Sequence, residues 1–169
     1  MLYLASKSPR RSQLLESLGY RFQLLDLDIP EQRESGESAM AYFKRVALEK
    51  ARAGFAQVQD QEGAVVLGAD TEVILDDEVF GKPVDAADAA SMLKRLSSRS
   101  HEVVSVVWAV SAEKENFVIS RTRVSFMGLD DQRIEDYLAC GEAFGKAGAY
   151  AIQGRAGAFV THLSGSHSG

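Results

Sequence analysis

The chain has 169 residues and a formal net charge of -5, with 46% apolar and 25% charged residues. That balance belongs to an ordinary globular protein with enough chain to bury a core in one domain, and its acidity argues against a nucleic-acid backbone as partner. The one cysteine, Cys140, excludes an internal disulfide and suits a reducing cytoplasm; no run reaches membrane-spanning length, so neither a membrane partner nor a secretion signal is expected.

Residues 1–5 are a short apolar run of strand type. Ser8 then stands where a helix N-cap belongs and Pro9 at the first helical position. Leu14, Leu15 and Leu18 recur at helical spacing, and Gly19 stops the helix. Its first turn holds Arg10 and Arg11, where the partial positive charge of a helix start favours acids. Two readings stand: a phosphate sits between the arginines and the helix end, or both arginines are solvated on a surface helix. Residues 22–27 read as a second strand, and 28–37 as a polar connection holding Asp28, Glu31, Arg33 and Glu34. Ser38 caps a helix running to about Gln59, with Met40, Phe43, Val46, Ala47, Ala51, Gly54 and Phe55 as its apolar stripe. Arg45 and Glu49 are an i,i+4 pair on the outer side. Lys50 falls on the inward stripe. It either snorkels from the rim of the core, the reading the helix alone favours, or points into a cleft.

Residues 64–67 read as a buried central strand ending in Gly68-Ala69-Asp70-Thr71. Small residues followed by a carboxylate at a strand's carboxyl end are where open α/β sheets place their ligand chemistry; the alternative is that Asp70 caps a turn. Residues 73–75 and 79–80 form a hairpin across an acidic turn, which Gly81-Lys82-Pro83 leaves. Residues 85–97 make an amphipathic helix with Ala89, Met92, Leu93 and Leu96 inward. Two long strands follow at 101–112 and 117–126. Trp108 is expected in the core, and His101 at a strand edge, since no second His or Cys sits at metal spacing. Residues 130–140 form a helix with Ile134, Tyr137 and Leu138 inward. Residues 145–154 are rich in Gly and Ala, which permits close backbone approach, and carry Lys146, Tyr150 and Gln153. A last strand is expected at 158–163, and the Gly/Ser run 164–169 reads like the start of a loop.

Arg10, Arg11, Glu31, Lys50, Asp70, Lys82, Lys146 and Gln153 together offer cations and two acids, with no histidine and no P-loop. That set suits metal-assisted hydrolysis of a phosphoanhydride: cations and backbone N–H groups hold phosphates, and carboxylates hold a divalent metal and prepare the attacking water. Four stretches then carry a resemblance: Ser6-Lys7-Ser8-Pro9-Arg10-Arg11, Gly68-Ala69-Asp70-Thr71, Gly81-Lys82-Pro83 and Lys146-Ala147-Gly148-Ala149-Tyr150-Ala151-Ile152-Gln153-Gly154. In order and spacing they resemble the Maf family of nucleoside triphosphate pyrophosphatases; Glu49-Lys50-Ala51 and Glu31-Gln32-Arg33 fit the same pattern.

The resemblance implies an α/β fold, an elongated mixed sheet with flanking helices and two lobes around a central cleft, related to the inosine triphosphate pyrophosphatases. It covers residues 1–169 as one domain, with the family's closing C-terminal segment lacking. It also implies cleavage between the α- and β-phosphates of a nucleoside triphosphate with a divalent metal, Mg²⁺ or Mn²⁺. Asp70 matches the proton acceptor, and Glu31 an acid near the metal and water, so both are expected metal ligands. Ser8, Arg11, Lys50 and Lys82 match the phosphate-binding residues. Arg10, Thr71 and Gln153 match positions that separate substrate branches, and the combination resembles the branch acting on dTTP and UTP, with modified pyrimidine triphosphates also compatible. Glu72 stands where the family has an aliphatic residue, Ala143 and Gly145 replace a proline and an acid, and Ala151 replaces a glycine. The implied partner is the nucleotide, not nucleic acid or a membrane, and a homodimer is left open. A reading from another class is a non-catalytic, nucleotide-binding regulator of septum formation in cell division, which would need Arg10, Arg11 and Lys82 but not Asp70. The inward Lys50 and the cationic helix start argue against a purely structural domain.

Overall fold

A computed structural model describes residues 1–167. The elements in chain order are β1 (Leu2–Ala5), α1 (Pro9–Ser17), β2 (Phe22–Leu24), α2 (Ala39–Val58), β3 (Val65–Leu75), β4 (Glu78–Phe80), α3 (Ala86–Leu96), β5 (Ser100–Ser111), β6 (Glu115–Phe126), α4 (Asp131–Ala139) and β7 (Val160–Ser164). The strands form one mixed sheet in the order β2-β1-β3-β5-β6-β7, with β4 paired to β3 off that path. Among the described residues, no helix is long and apolar enough to cross a membrane. The chain packs as two compact units, Met1–Asp70 with Ser105–Ile119, and Thr71–Val104 with Ser120–His167.

In the first unit β1 runs parallel to both neighbours, Leu2–Leu4 opposite Phe22–Leu24 and Leu2–Ala5 opposite Val65–Gly68. β2 is shorter than the expected 22–27. Its last rung is Leu25 N–H on Leu4 O at 3.0 Å, and beyond Ala5 there is no more β1 to pair with. Helix α2 opens on Ser38, whose side chain accepts from Ala41 N. Its buried face carries Phe43, Val46, Ala47 and Ala51, all fully sequestered. That face lies very close to β3. A Cβ on Gly68 would stand 2.4 Å from Ala51 N and 2.5 Å from Ala47 O, so only glycine admits the helix backbone there. Trp108 is half-buried instead of part of the core; its indole N–H donates to Lys44 O at 3.0 Å and its ring lies 4.6 Å from that of Phe117.

The second unit begins as β3 continues. The strand does not end at Gly68–Thr71 as expected but runs unbroken to Leu75, so Asp70 is mid-strand and caps no turn. β3 and β4 meet in a hairpin with Leu75 opposite Glu78, which leaves Asp76 and Asp77 as a two-residue turn. Both have positive φ, 51° and 63°, the left-handed pair that such turns require and that aspartate tolerates better than most residues. Helices α3 and α4 are capped by Asp85 and Asp130, which accept from Asp88 N and Arg133 N at 2.8 Å each. Their apolar faces supply Leu93, Leu96, Ile134 and Tyr137 to a core shared with Val73, Leu75, Phe80, Phe126 and Phe159.

His101 belongs to this core and not to a strand edge, because β5 lies between β3 and β6. Its Nε2 is 2.7 Å from Tyr150 Oη, and its ring meets Phe126 and Tyr150 edge-on. Burial penalises the imidazolium and pulls its pKa down from 6.5 to about 4; the same burial pushes the Tyr150 phenol up. The unfolded chain therefore binds a proton on His101 between pH 6.5 and 4 that the folded chain refuses. Stability from this residue is complete above pH 6.5 and is lost as the pH falls towards 4, by about 3 kcal/mol at one pKa unit per 1.36 kcal/mol. Urea denaturation at pH 7.5 and pH 5 should show about 2 kcal/mol of that loss, and His101→Phe should flatten the slope over this interval.

Candidate functional site

The first unit gathers its charges around Lys50. Three turns of α2 beyond Ser38, this lysine leaves the buried face and turns its ammonium onto two carboxylates. Nζ lies 3.0 Å from Asp70 Oδ1 and 2.7 Å from Glu31 Oε1. The lysine side chain is only 12% exposed, so it does not snorkel to solvent; it bridges the two acids. Asp70 is delivered by β3 and is almost wholly buried, whereas Glu31 comes from the polar connection before α2 and is 31% exposed. Asp70 Oδ2 is buried and, among the described residues, has no hydrogen-bond partner. A buried, unmatched carboxylate oxygen is costly in a folded protein and marks a place where a ligand, cation or water belongs.

Arg11 approaches the same stretch of β3 from α1. Its Nη1 donates to Ala69 O at 2.9 Å and to Ser6 Oγ at 3.0 Å. The arginine is thus tied directly to the residue before Asp70 and, by a second bond, to Ser6 at the start of its own motif. Ser8 occupies the N-cap position of α1 with extended backbone but makes no side-chain cap bond; instead its N–H donates to Ser6 Oγ at 3.2 Å. The first turn of α1 contains no acid, and Arg10 beside Arg11 is half-buried. Glu31, Lys50 and Asp70 are therefore brought together, with Arg11 fastened to the carbonyl of Ala69 and Ser8 and Arg10 at the start of the same helix.

Thr71, Lys82 and Gln153 belong to the second unit. Thr71 follows Asp70 directly in β3 and is half-buried. Lys82 is exposed just after β4. A backbone bond from Gly148 N to Gly81 O at 3.1 Å ties the Gly/Ala-rich segment to the Lys82 stretch, so two motifs far apart in sequence are joined. Gly148 has φ 69° and lies under Val73, where a Cβ would come within 2.9 Å of Val73 Cγ2. Lys146 precedes this turn, and exposed Gln153 follows it with Nε2 3.3 Å from His167 O. Glu72, which stands where the resemblance implies an aliphatic residue, is buried in β3.

Among the described residues, no group of three or more His, Cys, Asp or Glu side chains is assembled for a metal. A magnesium-like ion asks for less, because it commonly takes one or two carboxylates and completes its shell with water and substrate phosphates. The unmatched Asp70 oxygen and the neighbouring Glu31 fit that requirement.

This is an α/β protein with a charged, partly buried site on a mixed sheet. The fold is shared with the Staphylococcus aureus Ham1 protein, whose structure superposes with a TM-score of 0.53 at 12% identity over 74% of this chain and 71% of that one. The chain belongs to the Maf family, whose model, described as Maf-like protein, matches residues 1–169. It is 56% identical to a dTTP/UTP pyrophosphatase of Xanthomonas euvesicatoria pv. vesicatoria, over all of this chain and 90% of that protein. A dTTP/UTP pyrophosphatase of Xanthomonas campestris pv. campestris is 57% identical, and a nucleoside triphosphate pyrophosphatase of Xylella fastidiosa 52%, with the same coverage.

Removing the Lys50 ammonium leaves Asp70 charged and buried without its partner. Lys50→Met should destabilise the protein by about 3–5 kcal/mol, the usual cost of breaking a buried pair from one side. Lys50→Met combined with Asp70→Asn should recover much of it. Urea titration of the three proteins at one pH measures both effects.

Proposed function

We propose that this chain hydrolyses dTTP and UTP to the nucleoside monophosphate and pyrophosphate, with a divalent cation at Asp70 and Glu31. The observation that carries this reading is the buried Asp70 carboxylate, held at one oxygen by Lys50 and left unmatched at the other. Such a group can accept a proton from a water placed against it. The water oxygen bonds to the α-phosphorus. The bond from that phosphorus to the oxygen bridging α and β breaks, the electron pair leaves with pyrophosphate, and the water's proton goes to Asp70. Arg11, Lys50, Lys82 and Ser8 neutralise and orient the phosphates. The cation, Mg²⁺ or Mn²⁺, would lie with Asp70 and Glu31 and supply charge neutralisation and a more acidic water.

Relatives of 56 and 57% identity that bear the dTTP/UTP name support the pyrimidine substrates. Arg10, Thr71 and Gln153 are the residues assigned to the base. The Gln153 amide offers a donor and an acceptor, which matches the O4 and N3 edge of thymine and uracil. A pocket that reads that edge tolerates change on the other side of the ring, so base-modified pyrimidine triphosphates fall within the same class.

Product analysis of the purified protein with dTTP, UTP, CTP and 7-methyl-GTP, each with Mg²⁺, Mn²⁺ or chelator, tests the reading. Monophosphate and pyrophosphate should form from dTTP and UTP and disappear with chelator. Asp70→Asn should retain nucleotide binding while kcat falls by about 10²–10⁴-fold, the usual worth of a positioned base. Cleavage of 7-methyl-GTP instead would overturn the roles of Arg10, Thr71 and Gln153. Binding without turnover in the unmodified protein would favour a nucleotide-sensing regulator.

A further inference from the structure

Glu31 reaches Lys50 from the polar connection that precedes α2. Residues 31–36 are all exposed, so no buried apolar side chain anchors this part of the connection. Its attachment is polar and comes from α2. The Tyr42 hydroxyl donates to Glu31 O at 3.1 Å, and Arg45 Nη2 donates to Gln32 O at 2.9 Å. Two successive carbonyls are thus fixed from one helix face, since Tyr42 and Arg45 are three residues apart.

Arg45 is the centre of this attachment. Its Nε and Nη2 each lie 2.8 Å from an oxygen of Glu37, a two-pronged contact, while Nη1 reaches both oxygens of Glu49 at 3.1 and 3.3 Å. Glu37 in turn folds the connection on itself. Its carboxylate accepts from Glu34 N at 3.1 Å, its N–H donates to Glu34 O at 3.2 Å, and its carbonyl accepts from Arg33 Nε at 2.8 Å. The Glu37 side chain is only 11% exposed and that of Arg45 25%, so this is not a pair of waving surface charges. The guanidinium holds the Glu37 carboxyl down to about 2, which keeps the contact charged throughout the neutral range.

We propose that Arg45, assisted by Tyr42, is a positioning residue for Glu31: it fastens the 31–37 connection to α2 so that the Glu31 carboxylate stays against Lys50. The proposal rests on the role given to Glu31 above. Arg45 touches no reacting atom. Its planar fork spans Glu37 and the Gln32 carbonyl at once, which the point charge of a lysine does not reproduce.

The test compares unmodified protein, Arg45→Ala, Arg45→Lys, Glu31→Gln and the Arg45→Ala/Glu31→Gln double variant, with dTTP and Mg²⁺. kcat should fall by about 10–100-fold in Arg45→Ala, the scale of a misplacement of about 1 Å, with KM changed only a few-fold. Arg45→Lys should not rescue it, and the double variant should be no slower than Glu31→Gln alone. Amide hydrogen exchange across residues 31–37 should rise in Arg45→Ala while α2 stays protected. Glu37→Gln and Tyr42→Phe attack the same tether from other points and should raise exchange in the same segment if Arg45→Ala does not fold. Unchanged kcat in a folded Arg45→Ala, additive losses in the double variant, or unchanged exchange at 31–37 would each overturn the proposal. Absence of turnover in the unmodified protein would remove the functional reading, and the exchange experiment would still decide whether Arg45 holds the segment.

Discussion

One ammonium facing two carboxylates governs the first unit. An aspartate as buried as Asp70 needs a counter-charge, and Lys50 supplies it from α2. That requires the helix to lie close to the strand, and the closeness is set at Gly68, two residues before Asp70 in β3. Any side chain there would push Ala47 and Ala51 away and lift Lys50 with them. The glycine, the small helix residues opposite it and the lysine one position before Ala51 therefore form one dependency. Arg11 adds to it by binding the carbonyl of Ala69, which fixes the strand immediately ahead of Asp70.

The second unit holds its polar residues by different means. Lys82 and Gln153 are exposed, and the backbone beneath them is firmly held. Gly148 bonds to Gly81 and sits under Val73, and Ala151 N donates to the buried Tyr137 hydroxyl at 3.1 Å. Glu142 accepts from Arg155 N at 2.8 Å on the far side of the same segment. The left-handed conformations at Gly148 and Ala149 let this short stretch turn tightly, and glycine is the residue that adopts one without strain. His101 supports the segment from below through Tyr150, which links the core of this unit to the loop bearing Gln153.

Local features were legible in the sequence wherever local chemistry decides them. The starts of α2, α3 and α4 follow from Ser38, Asp85 and Asp130, and the β3–β4 hairpin follows from its acidic turn. Glu31, Lys50 and Asp70 could be named in advance, and their side chains do meet; Arg11, named with them, binds Ala69 O next to Asp70. What could not be read was how they meet. Gly68 looked like the end of a strand because glycine often is one; here it marks the approach of a helix from elsewhere in the chain. Lys50 on an apolar stripe looked like a snorkelling rim residue, since its two acids are 19 positions before it and 20 after it. His101 looked peripheral because nothing in its neighbourhood announces Tyr150. Arg45 was visible as the partner of Glu49, but its contact with Glu37 depends on how the connection folds back, which periodicity does not encode.

The two arms of the Lys50 bridge differ in their surroundings, and so they differ in their sensitivity to ionic strength. The Asp70 arm is buried on both sides, where mobile ions do not enter and screening is weak. The Glu31 arm is a third exposed and lies within reach of the counter-ion atmosphere. Rising salt therefore weakens the attachment of Glu31 while leaving Asp70 paired. The site is built from one rigid acid and one that the medium can loosen.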